Sequence, residues 1–471
     1  MRFTLTILFT VFILTFALQS CKKDKNNIIP PIDYGNIGAI KYTKHVQALF
    51  NDKCATSGCH SSATKSAGLS LSSWNGAVHG SLAGEVLVPF RADKSLLTYL
   101  FDGTPLRRNH RTIENALTTA EINFLKRWIN EGARNDANEV PFANSTNKLY
   151  VPNQGEDNVA VIDLDSMRVI RYVNVGELPA IEGPHFVTAR DNFWYVSLIG
   201  AKQVWKFDTH NDTLVVGKAN VPGSPALLTL TPDGSKLYVS QFMTSDINKV
   251  YVINTSTMDV EDTLTVGKMP HGIRINHSGT RLYCANMMSD NVTVVDVATN
   301  EVLEHIPLAW NANPVEPNYL PIEIAISPDD NFFAVSCSKN TKNEVRIFST
   351  SSNALVDSFQ VGVQPWHLQY LPDGNSVIVT NRVGNSVSQI HLAARHVNTI
   401  LSASNFDYPH GCVLSANGDY TFVSNENAYH HYLPRYLSDY VGNVCVIDNA
   451  LAQVVKVIEV GKIPTGLSVI E

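Results

Sequence analysis

TPDGSKLYVSQ, residues 231–241, reads as a tight turn that feeds a short β-strand. Pro232, Asp233 and Gly234 supply the turn chemistry, and Leu237, Tyr238 and Val239 are residue types that fit a pleated sheet. Related strands recur along the chain: LYVPN (149–153), WYVSL (194–198), LYCAN (282–286), FAVSC (333–337), VIVTN (377–381) and TFVSN (421–425). The last four follow turns of the same kind, NHSG, SPDD, LPDG and SANG. Most lead into a second strand such as VAVIDLD, KVYVINT, VTVVDVA or VCVIDNA, and then into a third that ends in Val-Gly or similar. A proline opens each following unit, at Pro184, Pro225, Pro270, Pro321, Pro365, Pro409 and Pro464. Their spacing, mostly in the low to mid forties, is the period of a four-stranded propeller blade.

Counting gives seven units, and the two ends fit together. The chain enters the repeats on a second strand, Lys148 to Val151, and finishes on an orphan first strand, IPTGLSVIE (463–471). Pairing the two closes a ring and removes two exposed strand edges. The expected fold is therefore mainly β, a seven-bladed β-propeller over residues 147–471; a solenoid or sandwich leaves the broken first unit unexplained. The stretch resembles the YVTN-repeat family of propellers.

In such a blade the first strand starts, and the second ends, at one face of the disc near its axis. The residues after the opening prolines, His185, Ala226, His271, Ile322, Trp366, His410 and Thr465, are expected to converge there, with His367 pointing away. Imidazoles meeting at an axis suit a transition metal, copper foremost, or an anion or redox-active substrate. His185, His271 and His410 are the candidate ligands. The plainer reading is that these rings only hydrogen-bond a neighbouring blade and that the glycine of Pro-His-Gly only permits close approach. Loops on the same face bring Met243, Met287, Met288, His430 and His431, and the insertion Glu426 to Tyr440 is a candidate lid over the axis. Asp163, Asp296 and Asp448 recur at strand ends, where a side-chain-to-backbone bond is the expected role. No nucleophile motif, phosphate loop or basic stripe is visible.

Ahead of the repeats stands CATSGCH, residues 54–60. Two cysteines followed at once by a histidine are what covalent haem attachment uses: the thiols add to the vinyl groups and the imidazole reaches the iron. The usual spacing between the cysteines is two residues, and here it is four. A local disulfide leaves His60 unexplained, and zinc needs a second ligand pair that the neighbourhood lacks. Residues 42–136 are the expected all-α haem domain. Its first helix carries Val46, Leu49 and Phe50. Its last helix opens at Thr118-Thr119-Ala120-Glu121, presents Ile122, Leu125, Trp128 and Ile129, and stops at Gly132. With CATSGCH, LSLSSWNGAV, Pro89 to Leu97 and LTTAEINFLKRWINEGA, this span resembles the single-haem cytochrome c domains of large bacterial exported proteins. Such domains place a methionine before the last helix, but none occurs between Met1 and Met167. The resemblance then implies His60 as one axial ligand of the haem iron and His110 as the other, with His79 or an open position as alternatives.

Residues 1–21 combine Arg2, an apolar run from Phe3 to Phe16, and Leu18-Gln19-Ser20-Cys21. This is the pattern of an export signal, and its end resembles the bacterial lipobox, in which the cysteine is lipidated. The apolar run is shorter than the roughly 20 residues of a membrane span. Residues 22–41 read as a polar tether. The expected location is outside the cytoplasm, held by lipid on Cys21 to a bacterial membrane and facing the periplasm or the cell surface. Haem attachment to cysteine takes place on that side as well. Of the remaining cysteines, Cys284, Cys337, Cys412 and Cys445 fall in strands and read as buried thiols, a disulfide among them being the alternative. A net charge of -7 over 471 residues gives no reason to expect nucleic acid as a partner.

Two functions follow. One is an extracytoplasmic electron carrier with one covalent haem c, whose propeller holds a redox or substrate site, making it a haem-dependent oxidoreductase served by a partner protein or small molecule. The other is a non-catalytic propeller that binds a protein or envelope component and carries an accessory haem. The cytochrome-plus-propeller nitrite reductases have eight blades and a second haem, so seven blades argue against a direct match.

Overall fold

The computed structural model describes residues 32–82, 84–101, 117–177, 179–242, 247–308, 319–339, 341–401, 405–435 and 440–470. Cys21, His110 and Met243 lie outside these residues. The described strands form seven four-stranded antiparallel sheets, the propeller that the repeat period predicts. Blade 1 is built from Lys148–Asn153, Asn158–Asp163 and Arg168–Asn174 with Ser468–Val469 as its inner strand. Blades 2 to 7 open in turn at Pro184, Pro225, Pro270, Pro321, Pro365 and Pro409, each running from its inner strand outward. At the turn quoted above, Asp233 accepts from the Thr231 hydroxyl at 2.6 Å and the Ser235 N–H at 3.0 Å, and Gly234 takes a left-handed φ of 68°.

The ring closes through the last strand. Leu149 pairs with Val469 and Tyr150 with Ser468, and Leu467 and Val469 join the apolar cluster that spans blades 7 and 1. Neighbouring blades are also latched by one recurring hydrogen bond. The hydroxyl of the Tyr-Val-Ser/Thr strand donates to the carbonyl of the axis residue in the next blade. Ser197 reaches Ala226 at 2.6 Å, Ser240 reaches His271 at 2.8 Å, Ser336 reaches Trp366 at 2.6 Å and Thr380 reaches His410 at 2.8 Å. Ser424 reaches Thr465 in the same way. Two blades lack the hydroxyl, having Ala285 and Pro152 at that position. There the axis residue itself supplies the donor: His271 Nδ1 to the Ile322 carbonyl at 2.9 Å, and Thr465 Oγ1 to the His185 carbonyl at 2.6 Å. Each buried carbonyl thus keeps a partner, as a low-dielectric interior requires.

The residues before the propeller are helical. A π-turn, Tyr42–Val46, runs into α1 (Gln47–Lys53), followed by α2 (Trp74–His79), α3 (Leu96–Tyr99) and α4 (Thr119–Asn130). Thr118 and Glu121 form a reciprocal capping box at the start of α4, as its first residues predict. Past its end Gly132 adopts φ 103°, where a Cβ would press on the Phe90 ring at 2.9 Å. Trp128, Leu125 and Ile129 pack on Leu49, Phe50, Leu71 and Leu97 in one apolar cluster.

This helical unit is docked on the outer strand of blade 1. Glu85, 7% exposed, accepts from the Val169 N–H at 3.2 Å and from Arg435 Nη2 at 3.0 Å. Arg168 donates to the Gly84 carbonyl at 3.0 Å, and Lys94 pairs with Glu156 at 2.9 Å. Arg435 belongs to the insertion expected to cover the axis. Its described part runs outward instead, to Glu459 and Glu85, because Asp407 accepts the N–H groups of Tyr429 and His431 and Asn427 holds the carbonyls of Tyr432 and Val441. Among the described residues no helix is long and apolar enough to cross a membrane.

Removing residues 463–471 should open the ring. Two buried side chains at about 2 kcal/mol each are lost before strand pairing is counted. Thermal unfolding should shift down by many degrees with loss of soluble yield; an unchanged melting curve contradicts closure through this strand.

Candidate functional site

The CATSGCH turn begins where α1 ends. Cys54 caps that helix, its N–H bonded to the Phe50 carbonyl at 2.8 Å, and its side chain lies in the apolar cluster with Leu69, Leu71 and Phe124. The Cys59 N–H donates to Thr56 at 3.1 Å and the His60 N–H returns to the Cys54 carbonyl at 3.1 Å, so the segment folds back on itself. Gly58, at φ 86°, permits that reversal. The longer spacing is therefore taken up in a compact turn whose backbone returns from His60 to Cys54. Burial, and then the neighbouring Cys59 sulfur, pushes the Cys54 thiol up to about 12. Both cysteines are free thiols. Two thiols, one imidazole and an apolar wall fit a covalently held haem. They do not fit zinc, because among the described residues no group of three or more His, Cys, Asp or Glu stands ready to hold an ion. His79 ends α2 and lines a cleft of about 220 Å3 with Ser166 and Arg168 of blade 1.

At the propeller axis the structure brings His185, His271 and His410 together, and adds His367. Ring centroids are 6.4 Å apart for His185 and His271, 6.4 Å for His271 and His367, 5.1 Å for His367 and His410, and 5.4 Å for His410 and His185. The expectation that His367 points away fails for a physical reason. In six blades the pairing of the inner strand shifts register just after its opening proline. A bulge there breaks the two-residue alternation, so both residues after the proline can face inward. The same bulge brings in Phe186, whose ring stacks on His367 at 5.9 Å, and Glu323, which is fully buried. A Cβ on Gly272 would lie 2.5 Å from Glu323 Cα, so Pro-His-Gly does permit the close approach.

Sequence reasoning missed Glu323, Arg274 and Arg382. Glu323 Oε1 stands 3.7 Å from Arg274 and accepts the Ile324 N–H at 3.0 Å, while Oε2 lies 3.3 Å from His367 Nδ1 without the alignment of a hydrogen bond. Burial pushes the Glu323 carboxyl up to about 7. Arg382 pairs with Glu426 at 2.7 Å and lies over the rings of Trp366 and Tyr408. Trp366 Nε1 donates to His410 Nε2 at 3.2 Å. Burial, and then the neighbouring His271, lowers His185 to about 3; burial lowers His271 to about 4 and drives His367 and His410 well below the usual imidazole range. All four rings are neutral at physiological pH. Asp163, Asp296 and Asp448 instead accept backbone N–H groups at the turns after their strands, at 2.8, 3.0 and 3.0 Å. Cys284, Cys337, Cys412 and Cys445 are buried free thiols.

Residues 139–306 match the family described as "Lactonase, 7-bladed beta-propeller". A seven-bladed beta-propeller protein of Mycobacterium tuberculosis is 32% identical over 167 residues, covering 35% of this chain and 39% of its own length. Antigen Lp49 of Leptospira interrogans is 24% identical over 247 residues, covering 50% of this chain and 51% of its own. The chain thus spans about half or less of the length of these two curated relatives. A functionally unknown protein from Desulfotomaculum acetoxidans shares the fold at a TM-score of 0.56 and 13% identity, over 69% of this chain and 99% of that one.

The histidines set a pH dependence. The unfolded chain takes up protons on imidazole near pH 6.5, whereas native His271 does so only near 4. Stability is therefore lost as pH falls between these values, by about 1.4 kcal/mol per pH unit for each such histidine. Glu323 opposes this, holding natively a proton that the unfolded chain releases, up to about pH 7. Four rings outweigh one carboxyl. Urea unfolding of chelator-treated protein at pH 7.5, 6.5, 5.5 and 4.5 should show stability falling with acid, and His271→Gln should flatten that slope by about one proton.

Proposed function

We propose that the chain is an exported, lipid-anchored c-type cytochrome whose haem unit is fixed to the rim of a seven-bladed propeller and exchanges electrons with a partner protein or small molecule. One observation carries this reading. The CATSGCH turn folds back on itself, the His60 N–H bonded to the Cys54 carbonyl, with Cys54 in the apolar cluster between α1 and α4, and this supports the haem-attachment reading. When bound, haem supplies an iron centre that cycles between two oxidation states. Cys54 and Cys59 would hold it as thioethers and His60 would be its first axial ligand. His110 is the preferred second ligand. His79, which lines the cleft against blade 1, and an open position are the alternatives. Lipid on Cys21 would keep the unit at a membrane outside the cytoplasm. The clamp of Glu85 with Val169 and Arg435 would hold it at a constant place on the propeller.

A second reading, a propeller that docks a partner or envelope component, is favoured by the aromatic patch beside Trp366. There Tyr429 and Tyr440 are 54% and 57% exposed, with the His430 ring tilted against Tyr440 at 4.1 Å between centroids. A lactonase reading has less behind it. The family match ends at residue 306, before the blades that supply Glu323, His367 and His410.

Reduced-minus-oxidised absorption of protein made with haem maturation tests the proposal. One haem per chain is expected, lost in the Cys54→Ser/Cys59→Ser double variant, with a low-spin to high-spin change in His110→Ala. Colourless protein, or colour kept by the double variant, overturns it.

A further inference from the structure

Two openings on the helical unit meet at Asn75. The wider, of about 500 Å3, lies between the start of the Tyr42–Val46 turn, residues 72–75 and the turn past α4 that carries Asp136. The narrower is the cleft of about 220 Å3 that ends against Ser166 and Arg168 of blade 1. Asn75 lines both, so one cleft runs from the start of α1 to the propeller. Its size is that of a small-molecule site, and a joint between two units is where such sites concentrate.

The wide part is braced by its own hydrogen bonds. Trp74 Nε1 donates to the Ala133 carbonyl at 2.7 Å and the half-buried ring packs on the apolar cluster, which fixes the indole plane where it lines the cleft. The Tyr42 hydroxyl donates to Gln47 Oε1 at 2.8 Å, and Gln47 Nε2 donates to the Leu71 carbonyl at 2.9 Å. Asp136 accepts the Thr43 N–H at 3.0 Å, and hydrogen bonding from Thr43 holds its carboxyl below the usual carboxylate range. It is therefore ionised at neutral pH. Ser72 and Ser73 accept the N–H groups of Ser62 and Gly76 at 2.9 and 3.1 Å, and each hydroxyl keeps a proton to donate. Asn75 is exposed and offers an amide that both donates and accepts.

This set of groups selects a ligand class. A hydroxyl donates and accepts at once, so neighbouring hydroxyls on a ring suit a carboxylate, an amide and serine hydroxyls placed side by side. The face of an indole carries negative partial charge, which attracts the polarised C–H groups on the flat side of a sugar ring. Anions are disfavoured, because Asp136 is the only formally charged group among the described residues that line the wide part. Arg168, at the narrow end, is committed to the Gly84 and Ser81 carbonyls at 3.0 and 3.3 Å. An extended peptide pairs with a free strand edge, whereas helix ends and turns bound the wide part.

We propose that the cleft between the helical unit and blade 1 binds a short neutral oligosaccharide, with Trp74 as the stacking platform and Asp136, Ser73 and Asn75 as partners of its hydroxyls. This site is separate from the Cys54–His60 turn, so it holds or fails whether or not the chain carries haem.

The test is calorimetric titration of the full-length protein with maltotriose, cellotriose, chitotriose and mannotriose. At least one is expected to bind, at one per chain and with an affinity that added salt leaves unchanged, since no ion pair is involved. Trp74→Ala should weaken that binding roughly tenfold, the usual worth of an aromatic contact. Asn75→Trp, at an exposed position, should abolish it by filling the meeting point of the two openings. Tyr429→Ala, in the aromatic patch beside Trp366, should leave it unchanged. Melting curves without sugar confirm that each variant folds, and should Trp74→Ala unfold, Asn75→Trp decides alone. Binding of none of the four sugars, or full affinity in either folded cleft variant, overturns the proposal. Loss of binding in Tyr429→Ala alone overturns it too, by assigning the sugar to the other patch.

Discussion

The hydroxyl latch between blades is the constraint from which the rest of the propeller follows. A ring of sheets has no covalent closure, so each blade must present a complementary edge to the next. Here the second strand of one blade donates to the axis carbonyl of its neighbour, around the whole circuit. Where Ala285 and Pro152 cannot donate, His271 and Thr465 take over. The exception at His271 matters most. It ties the ring's Nδ1 to a structural bond, so a side chain at the axis itself closes the contact between two blades.

That latch holds the inner strands near the axis, and the bulge after each opening proline then turns two residues inward. The result is a small apolar-walled centre containing four neutral imidazoles and one carboxyl whose charge is disfavoured by burial. Neutrality there is a consequence of packing rather than of any special partner, since burial is the first cause for every one of these rings. The helical unit reaches the same body by different means. Glu85 is held by a backbone N–H of blade 1 and by Arg435, so the insertion that leaves the axis region serves as a clasp for the neighbouring unit.

Repeat number, ring closure and the ends of α4 were legible in the sequence because each rests on local chemistry: turn residues, a capping box, a broken unit at either end. Convergence of His185, His271 and His410 was legible for the same reason, as position relative to an opening proline. His367 and Glu323 were not, since alternation along a strand predicts that the second residue points away, and a bulge has no sequence signature without a register. The Glu85 clasp joins residues 350 positions apart and leaves no local trace. Arg382 and Arg274 read as ordinary strand charges until their buried partners are seen. The route of the insertion past Glu426 depends on Asp407, an unremarked residue in the preceding linker.

The functional account rests on a covalent bond between porphyrin and the thiols that flank the turn after α1. Trypsin cleavage after Lys53 and Lys65 releases CATSGCHSSATK from protein made with haem maturation, and its mass reports that bond directly. The account predicts a peptide heavier by one haem, with both thiols consumed. A peptide carrying two free thiols, or a Cys54–Cys59 disulfide and no porphyrin, contradicts it.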